Sequence, residues 1–151
     1  MIYKEIDKVI EAKIIAQYGS WISEYNCLQT GENCYRVAAL DGDTVAGFAA
    51  IHPAKWTPPL EPYEDAFIEV IEVDESYRRQ GIGSQLVAIL EQKAKAFGFY
   101  QIRAWSSEDK FEALHMWKKL HYGMCPAVEI GSIKPGFEDA VIRGYYYAKV
   151  L

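Results

Sequence analysis

The 151-residue sequence lacks the features of membrane, disulfide-stabilised and metal-binding proteins. No apolar run approaches the ~20 residues that a membrane helix needs, and its N-terminal residues do not follow the basic-then-apolar order of a signal peptide. Its three cysteines show no CxxC spacing, and its three histidines form no HExxH motif. These absences argue against a disulfide framework and a metal site. We therefore expect a cytoplasmic protein that needs no metal.

The sequence also lacks a surplus of basic residues, since its formal net charge is −5. Nucleic-acid-binding proteins must neutralise phosphates and usually carry the opposite bias, so we expect no nucleic-acid partner. An acidic surface favours the approach of a cationic partner such as an amine. A chain of this length can bury a core of its own, so residues 1–151 are expected to form a single domain.

Apolar periodicity indicates helices interleaved with strands, which is typical of an α/β layered domain. Helices are predicted over Ile6–Ile22, over Ser84–Phe97, and from Ser106 or Ser107 to about Leu120. Strands are predicted over Tyr35–Leu40, Val45–Ile51, Ala66–Val73, Tyr100–Trp105, Met124–Ile130 and Val141–Val150. The prolines at positions 53, 58, 59 and 62 predict a loop that also carries Trp56 and Tyr63. A hairpin precedes the central strand, so the expected sheet is mixed, mostly antiparallel and flanked by helices.

Gly81 and Gly83 lie between a predicted strand and a predicted helix. Such a turn presents free backbone N–H groups and the positive end of the helix dipole, which together favour a phosphate. The sequence contains no GxxxxGK loop, and Leu86 stands where a GxGxxG motif needs its third glycine. Neither common nucleotide-binding motif therefore accounts for the turn.

From Ile71 the sequence reads IEVDESYRRQGIGSQL, with Arg78, Gly81 and Gly83 at a distinctive spacing. This segment resembles the cofactor motif of the GCN5-related N-acetyltransferase (GNAT) family, which is Arg or Gln, two residues, Gly, any residue, then Gly or Ala. The resemblance extends over roughly residues 35–123. It implies the acyl-CoA N-acyltransferase fold and transfer of an acetyl group from acetyl-CoA to a primary amine.

The resemblance also implies which residues would hold coenzyme A. The glycine turn would bind the pyrophosphate through its backbone amides, and Arg78 and Arg79 can add charge-assisted contacts. The end of the preceding strand would pair with the pantetheine arm through its main chain. Trp117 is expected to pack against the pantetheine or the core. The implied cofactor-binding residues are Ile71, Glu72, Val73, Arg78, Arg79, Gln80, Gly81, Ile82, Gly83, Ser84 and Trp117.

Two carboxylates, Glu69 and Glu72, interrupt the apolar strand and are candidate catalytic bases. An amine must lose a proton before it attacks a thioester, and desolvation of a strand carboxylate would make it a better base. Strand alternation predicts that the two lie on opposite faces. Glu69 is the first candidate because the same alternation places it with Ile71 and Val73, and Glu72 is the second. Each could instead form a buried ion pair or reach solvent.

The sequence departs from the family at the tyrosine that often protonates the leaving thiolate, because Trp117 stands there. An indole N–H can donate a hydrogen bond but is not a useful acid. Either departure of the thiolate needs no acid, or another residue supplies it. Tyr122, His115 and the tyrosines at positions 145–147 are conceivable substitutes.

Three alternatives stay open, and Trp117 at the position of the usual tyrosine motivates the non-catalytic one. A small-molecule amine is favoured slightly over a protein N-terminus or lysine, and it would bind in a cleft beside the N-terminal helical region and the Trp56–Tyr63 loop. A non-catalytic acyl-CoA-binding domain is the rival class, and a nucleotide-binding signalling module is the third. The aromatic C-terminal strand could support a homodimer.

Overall fold

The computed structural model describes residues 1–130 and 140–151 as a seven-stranded sheet with helices on both faces. The strands are β1 (Ile2–Glu5), β2 (Tyr35–Asp41), β3 (Thr44–Lys55), β4 (Glu64–Val73), β5 (Gln101–Ser107), β6 (Gly123–Ile130) and β7 (Val141–Val150). The helices are α1 (Lys8–Tyr18), α2 (Trp21–Glu24), α3 (Ile82–Ala96) and α4 (Phe111–Lys119). In these two ranges no helix has the length and hydropathy needed to cross a membrane.

The strands follow the order β1-β2-β3-β4-β5-β7-β6 across the sheet. Neighbouring strands are antiparallel, except for β4 and β5, which run parallel. The chain crosses from β4 to β5 through α3, as a parallel pair requires. The predicted mixed and mostly antiparallel sheet is therefore confirmed.

Each face of the sheet has its own hydrophobic core. On one face Leu86, Val87 and Leu90 of α3 and Trp117 of α4 pack on the sheet, together with Tyr147 of β7. On the other face α1 and α2 pack on residues of β2, β3 and β4. Within the described part of the chain, this second core includes no residue of β5, β6 or β7. One face of that half of the sheet therefore has no helix over it.

The structure divides the predicted helix over Ile6–Ile22 into two. The Asp7 side chain accepts from the N–H groups of Val9 and Ile10, so α1 begins only at Lys8. Gly19, at φ 114°, ends α1 and separates it from α2. The short strand β1, which periodicity missed, pairs with β2 along the edge of the sheet.

Two other boundaries differ from the sequence prediction because strand pairing extends further than expected. Pro53 lies inside β3, opposite Ala66, whereas β2 pairs with β3 only as far as Ile51. The missing N–H of Pro53 therefore lies on an edge, where no ladder bond is lost. Helix α4 begins at Phe111, with no side-chain cap, and not after Ser106 or Ser107, because those serines continue β5 by pairing with β7.

Candidate functional site

The parallel strands β4 and β5 separate partway along their length. They pair only from Ala66 with Ile102 to Ile68 with Ala104, although β4 continues to Val73 and β5 to Ser107. Beyond Ile68 and Ala104 the two strands therefore have main-chain groups that face each other without a ladder. This split opens beside the N-terminus of α3.

Two residues of β4 direct their backbone into the split. The Asp74 N–H donates to the Ala46 carbonyl in β3, 3.0 Å away. Because peptide groups alternate direction along a strand, Ile71 and Val73 then present theirs to the β5 side. The Val73 carbonyl accepts from Arg78 Nε at 3.3 Å. Ile71 and Val73 are two of the three residues predicted to pair with pantetheine, and their backbone is placed where an extended chain could add to the strand edge. The third, Glu72, directs its backbone towards Phe48 of β3, so its main chain is not available to pantetheine.

The glycine turn leads directly into α3. Gly81 is the N-cap residue at φ 83°, and Arg79 is at φ 61°. Among the described residues, no acceptor reaches the N–H groups of residues 80–84, and α3 has no side-chain cap. A Cβ at Gly81 would meet nothing within 4 Å, so glycine serves the left-handed backbone there. The turn therefore has the open donors and the helix dipole that an anion site needs.

The side chains of the turn leave that site basic. Arg78, Arg79 and Gln80 are exposed, and Gln80 Nε2 donates to the Ser76 carbonyl at 3.2 Å. A Cβ at Gly83 would lie 3.0 Å from Met116 Sδ, so the small residue lets α3 approach α4. Ile82 is 4% exposed and belongs to the core beneath α3. Of the predicted phosphate-binding residues, Ile82 can therefore contribute its backbone but not its side chain.

A β-bulge in β4 changes the predicted faces of the two carboxylates. Val70 pairs with Ala50, whereas Ile68 pairs with the next residue of β3, Ile51. Glu69 is thus an extra residue without a partner of its own in the β3–β4 register. Sequence alternation could not reveal this insertion.

The prediction that Glu69 shares a face with Ile71 and Val73 is therefore wrong. Ile71 and Val73 pack on the α3 side. Glu69 lies near Cys27 of the opposite core, because its negative charge, after burial, helps to raise the pKa of the Cys27 thiol to about 11. Glu72 pairs with Phe48, which also belongs to the opposite core. Both glutamates lie on the α1–α2 side, so the prediction of opposite faces is wrong as well.

Glu69 has a partner that the sequence did not predict. Its Oε2 lies 2.8 Å from Nε2 of His52 in β3, and His52 Nδ1 lies 2.9 Å from the Pro53 carbonyl. The hydrogen bond to Glu69 raises the pKa of His52, and burial opposes it. A protonated ring can donate to both acceptors at once. His52 therefore holds the Glu69 carboxylate just beyond Ile68, the last residue of β4 that pairs with β5.

Trp117 lies in the core and not on the surface. It is 1% exposed and packs against Tyr122 and Tyr147, with ring centroids 4.7 and 5.2 Å away. The Tyr147 hydroxyl lies 2.9 Å from Oγ of Ser106, which lies within the split, two residues after Ala104. Contact of Trp117 with a cofactor stays a prediction. Its stacking on Tyr147 supports the hydroxyl pair of Tyr147 and Ser106, which lies on the face that α3 and α4 cover.

The other tyrosine and histidine proposed as acids are placed less favourably. The Tyr122 hydroxyl donates to Glu91 at 2.9 Å, and burial and that carboxylate raise the pKa of Tyr122. His115 is exposed on α4, where Nδ1 lies 2.7 Å from the Phe111 carbonyl. Tyr146 lies on the opposite face, hydrogen-bonded to Glu129. In the described chain, no group of three His, Cys, Asp or Glu side chains is arranged to hold a metal.

The comparisons with known proteins agree with this geometry. The model of the acetyltransferase (GNAT) family matches residues 6–122. An acetyltransferase of the GNAT family from Streptococcus pneumoniae superposes with a TM-score of 0.72 at 16% identity, covering 99% of both chains. Ribosomal-protein-alanine N-acetyltransferase from Brucella melitensis superposes with a TM-score of 0.74 at 13% identity, covering 100% of both chains.

A third solved structure contains the cofactor. A proposed acetyltransferase from Salmonella typhimurium with its cofactor acetyl-CoA has a TM-score of 0.72 at 13% identity, covering 99% of this chain and 93% of the other. No curated protein sequence matches the chain. At these identities the structural likeness is one of fold, whereas the family model matches the sequence itself across most of its length. The chain belongs to the acetyltransferase (GNAT) family.

Proposed function

We propose that the protein transfers an acetyl group from acetyl-CoA to a primary amine. The observation that carries this proposal is the split between β4 and β5, which opens onto the uncapped N-terminus of α3. An elongated molecule with amides at one end and phosphates at the other fits both features. The backbone of Ile71 and Val73 would bind the pantetheine amides, and the N–H groups of residues 80–84 would bind the pyrophosphate.

Arg78 and Arg79 would add positive charge at the pyrophosphate. Both are exposed beside the turn, and the Arg78 contact to the Val73 carbonyl holds its guanidinium at the mouth of the split. Acetyl-CoA supplies the thioester, whose carbonyl needs a donor for its developing charge. The Ile71 N–H is the donor we assign, because it faces the split.

Glu69 would accept the proton of the amine. It is the first residue of β4 beyond the segment that pairs with β5, and its side chain is 23% exposed. The His52 side chain, 17% exposed, keeps the carboxylate oriented and does not need to transfer a proton itself. Glu72 remains the second candidate, further along the same face.

The leaving sulfur would receive a hydrogen bond from Ser106. A thiol with a pKa near ~8.5 can leave as a thiolate without full protonation. The Tyr147 hydroxyl stands behind Ser106 and keeps its proton, because burial raises its pKa. This pair would replace the tyrosine that the family often carries at the position of Trp117.

The test compares Glu69→Gln with Glu72→Gln, two isosteric changes on one strand. Thiol release from acetyl-CoA is followed against a panel of small amines and peptides with free N-termini. We expect Glu69→Gln to lower kcat about 10²–10⁴-fold, as loss of a general base does, with the KM for acetyl-CoA unchanged. Glu72→Gln should have a smaller effect.

Two outcomes would redirect the proposal. An unchanged pH–rate profile in Glu69→Gln would remove Glu69 from the role of base. Acetyl-CoA binding without thiol release across a broad panel would favour the non-catalytic acyl-CoA-binding domain. The panel also decides between a small-molecule amine, which we favour, and a protein N-terminus or lysine.

A further inference from the structure

A small cavity lies where the loop after β3 meets the beginnings of β4 and β5. Its volume is about 230 Å³, below the 300–1,000 Å³ of pockets that enclose a drug-sized ligand. It can therefore hold one end of a molecule. The cavity is lined by Lys55, Trp56, Thr57, Asp65, Gln101 and Arg103.

Asp65 is the only carboxylate among the described residues of the lining, and it already accepts hydrogen bonds. Asp65, 1% exposed, accepts from Arg103 Nη2 at 2.9 Å and from Gln101 Nε2 at 2.9 Å, and Arg103 Nε also donates to it. A buried carboxylate requires such partners, so this cluster is well satisfied without any ligand. The Asp65 side chain is therefore not available to bind a cation.

The lining side chains that have no partner are mostly donors. Across residues 1–130 and 140–151, no acceptor pairs with Lys55 Nζ, the Thr57 hydroxyl, the Trp56 indole N–H or Arg103 Nη1. Glu64 pairs with Lys55 in the strand register but forms no ion pair with it and does not line the cavity. Lys55, Trp56 and Thr57 are exposed, so water satisfies their donors in the free protein, and the ammonium and guanidinium groups of the lining favour an anion as the ligand that replaces this water.

The charge of the cavity matches a monoanion. Lys55 and Arg103 contribute two positive charges and Asp65 one negative charge, so the lining carries a net charge of +1. A carboxylate has the complementary charge of −1, whereas a phosphate monoester carries about −1.5 to −2. This local surplus stands against the net charge of −5 of the chain.

Direct contacts connect the cavity to the catalytic carboxylate. The Arg103 guanidinium lies 5.9 Å from the Phe67 ring centroid, and the Phe67 and His52 ring centroids lie 5.8 Å apart. His52 in turn contacts Glu69. All of these side chains belong to the side of the sheet opposite α3, where no helix covers β5.

The length of the strand sets the distance between the two sites. Phe67, which pairs with Arg103, and Asp65 precede Glu69 by two and four residues. At about 3.3 Å per residue the cavity lies roughly 7–13 Å from the catalytic carboxylate. We infer that the acceptor amine carries a carboxylate at this distance from its nitrogen and that the Lys55–Arg103 cavity binds it. This inference rests on the proposed function and names the acceptor class.

The test uses amines of one length that differ only at the far end. Thiol release is compared for ω-aminohexanoate, hexylamine and hexanediamine, and for the longer ω-aminooctanoate with octylamine as its matched alkylamine. We expect kcat/KM for the better carboxylate-tailed amine to exceed that of the matched alkylamine by at least about tenfold, as a charge-assisted pair does. Lys55→Gln should reduce this preference to below about threefold, whereas Lys118→Gln, an exposed lysine of α4, should leave it unchanged.

A binding measurement separates the cavity from the chemistry. Hexanoate, which has no amine, is titrated while the indole N–H resonance of Trp56 is followed by NMR and assigned with Trp56→Phe. We expect a saturable shift in the wild type that Lys55→Gln abolishes. Equal kcat/KM for the three tails, with no shift, would overturn the carboxylate site and leave the acetyltransferase intact. A shift abolished by Lys55→Gln without any amine turnover would support the site and refute the proposed function.

Discussion

Gly81 and Gly98 lie at opposite ends of α3 in nearly the same backbone conformation. Their φ angles are 83° and 89°, and a Cβ at either would meet nothing within 4 Å. Alanine at either position should cost roughly 1–2 kcal/mol, because an L-residue is strained in the left-handed region. Only Gly81, however, adjoins the free N–H groups of the turn. The two glycines therefore form a matched pair that separates stability from cofactor binding.

We expect Gly81→Ala and Gly98→Ala to lower the free energy of unfolding by similar amounts. Gly81→Ala should also weaken acetyl-CoA binding about tenfold, since the shifted turn would misalign at least one donor to a charged phosphate. Urea denaturation and calorimetric titration with acetyl-CoA measure the two effects. Equal affinity in both variants would show that the turn does not bind the pyrophosphate.

The identity of a single residue was sufficient to predict some features but not others. Gly81 indicated the turn correctly, because glycine is needed where φ is positive, whereas Gly83 already lies within α3. His52 carried no such signal, since it lies 17 residues from Glu69 in the sequence. Only the pairing of β3 with β4 brings the two together, and no local pattern reports that pairing.

Among the strands, too, the sequence predicted what depends on neighbouring residues and missed what depends on tertiary pairing. Apolar runs predicted β2, β4 and β7 closely, because each is buried on at least one side. Periodicity missed β1, which has four residues and no buried one. It also missed the bulge at Glu69, because an inserted residue reverses the alternation that the argument assumes.

Pairing between β3 and β4 should make stability depend on pH through His52. The folded-state pKa of His52 is raised, chiefly by its hydrogen bond to Glu69. The stabilisation is therefore fully present below the unfolded pKa of ~6.5 and is lost as the pH rises through the higher folded-state value. We expect the difference in unfolding free energy between wild type and His52→Gln to become smaller as the pH rises from the unfolded pKa through the folded-state pKa.

Chemical denaturation of both proteins at several pH values above about 5 measures this difference, and a Glu69→Gln background supplies the control. Without the carboxylate, substitution of His52 should produce a difference that varies little with pH. A difference that stays pH-dependent in the Glu69→Gln background would assign the effect to another group.

The two faces of the sheet carry different groups at the split between β4 and β5. On the α3 side, the split, the glycine turn and the Ser106–Tyr147 pair lie together. On the opposite side, Glu69 and the Arg103 cavity lie where α1 and α2 no longer cover the sheet. On the proposed function, cofactor and acceptor would reach one point from opposite faces. The homodimer was predicted from the aromatic residues of β7, and that strand is paired with β5 on one side and β6 on the other. The dimer stays a prediction.

Binding of coenzyme A should stabilise the entire fold, because the ligand would bridge β4 and α3 only in the native state. A ligand at one hundred times its Kd adds about 2.7 kcal/mol, which corresponds to a rise in Tm of roughly 5–11 °C for a chain of this size. We expect acetyl-CoA to produce this shift in a thermal melt, and ATP and NAD to produce little, since the turn has neither nucleotide motif. Stabilisation by ATP or NAD without stabilisation by coenzyme A would instead indicate the nucleotide-binding signalling module. Gly81→Ala, with its about tenfold weaker binding, should lose about half of the shift at the same acetyl-CoA concentration while Gly98→Ala keeps it, which ties the stabilisation to the turn.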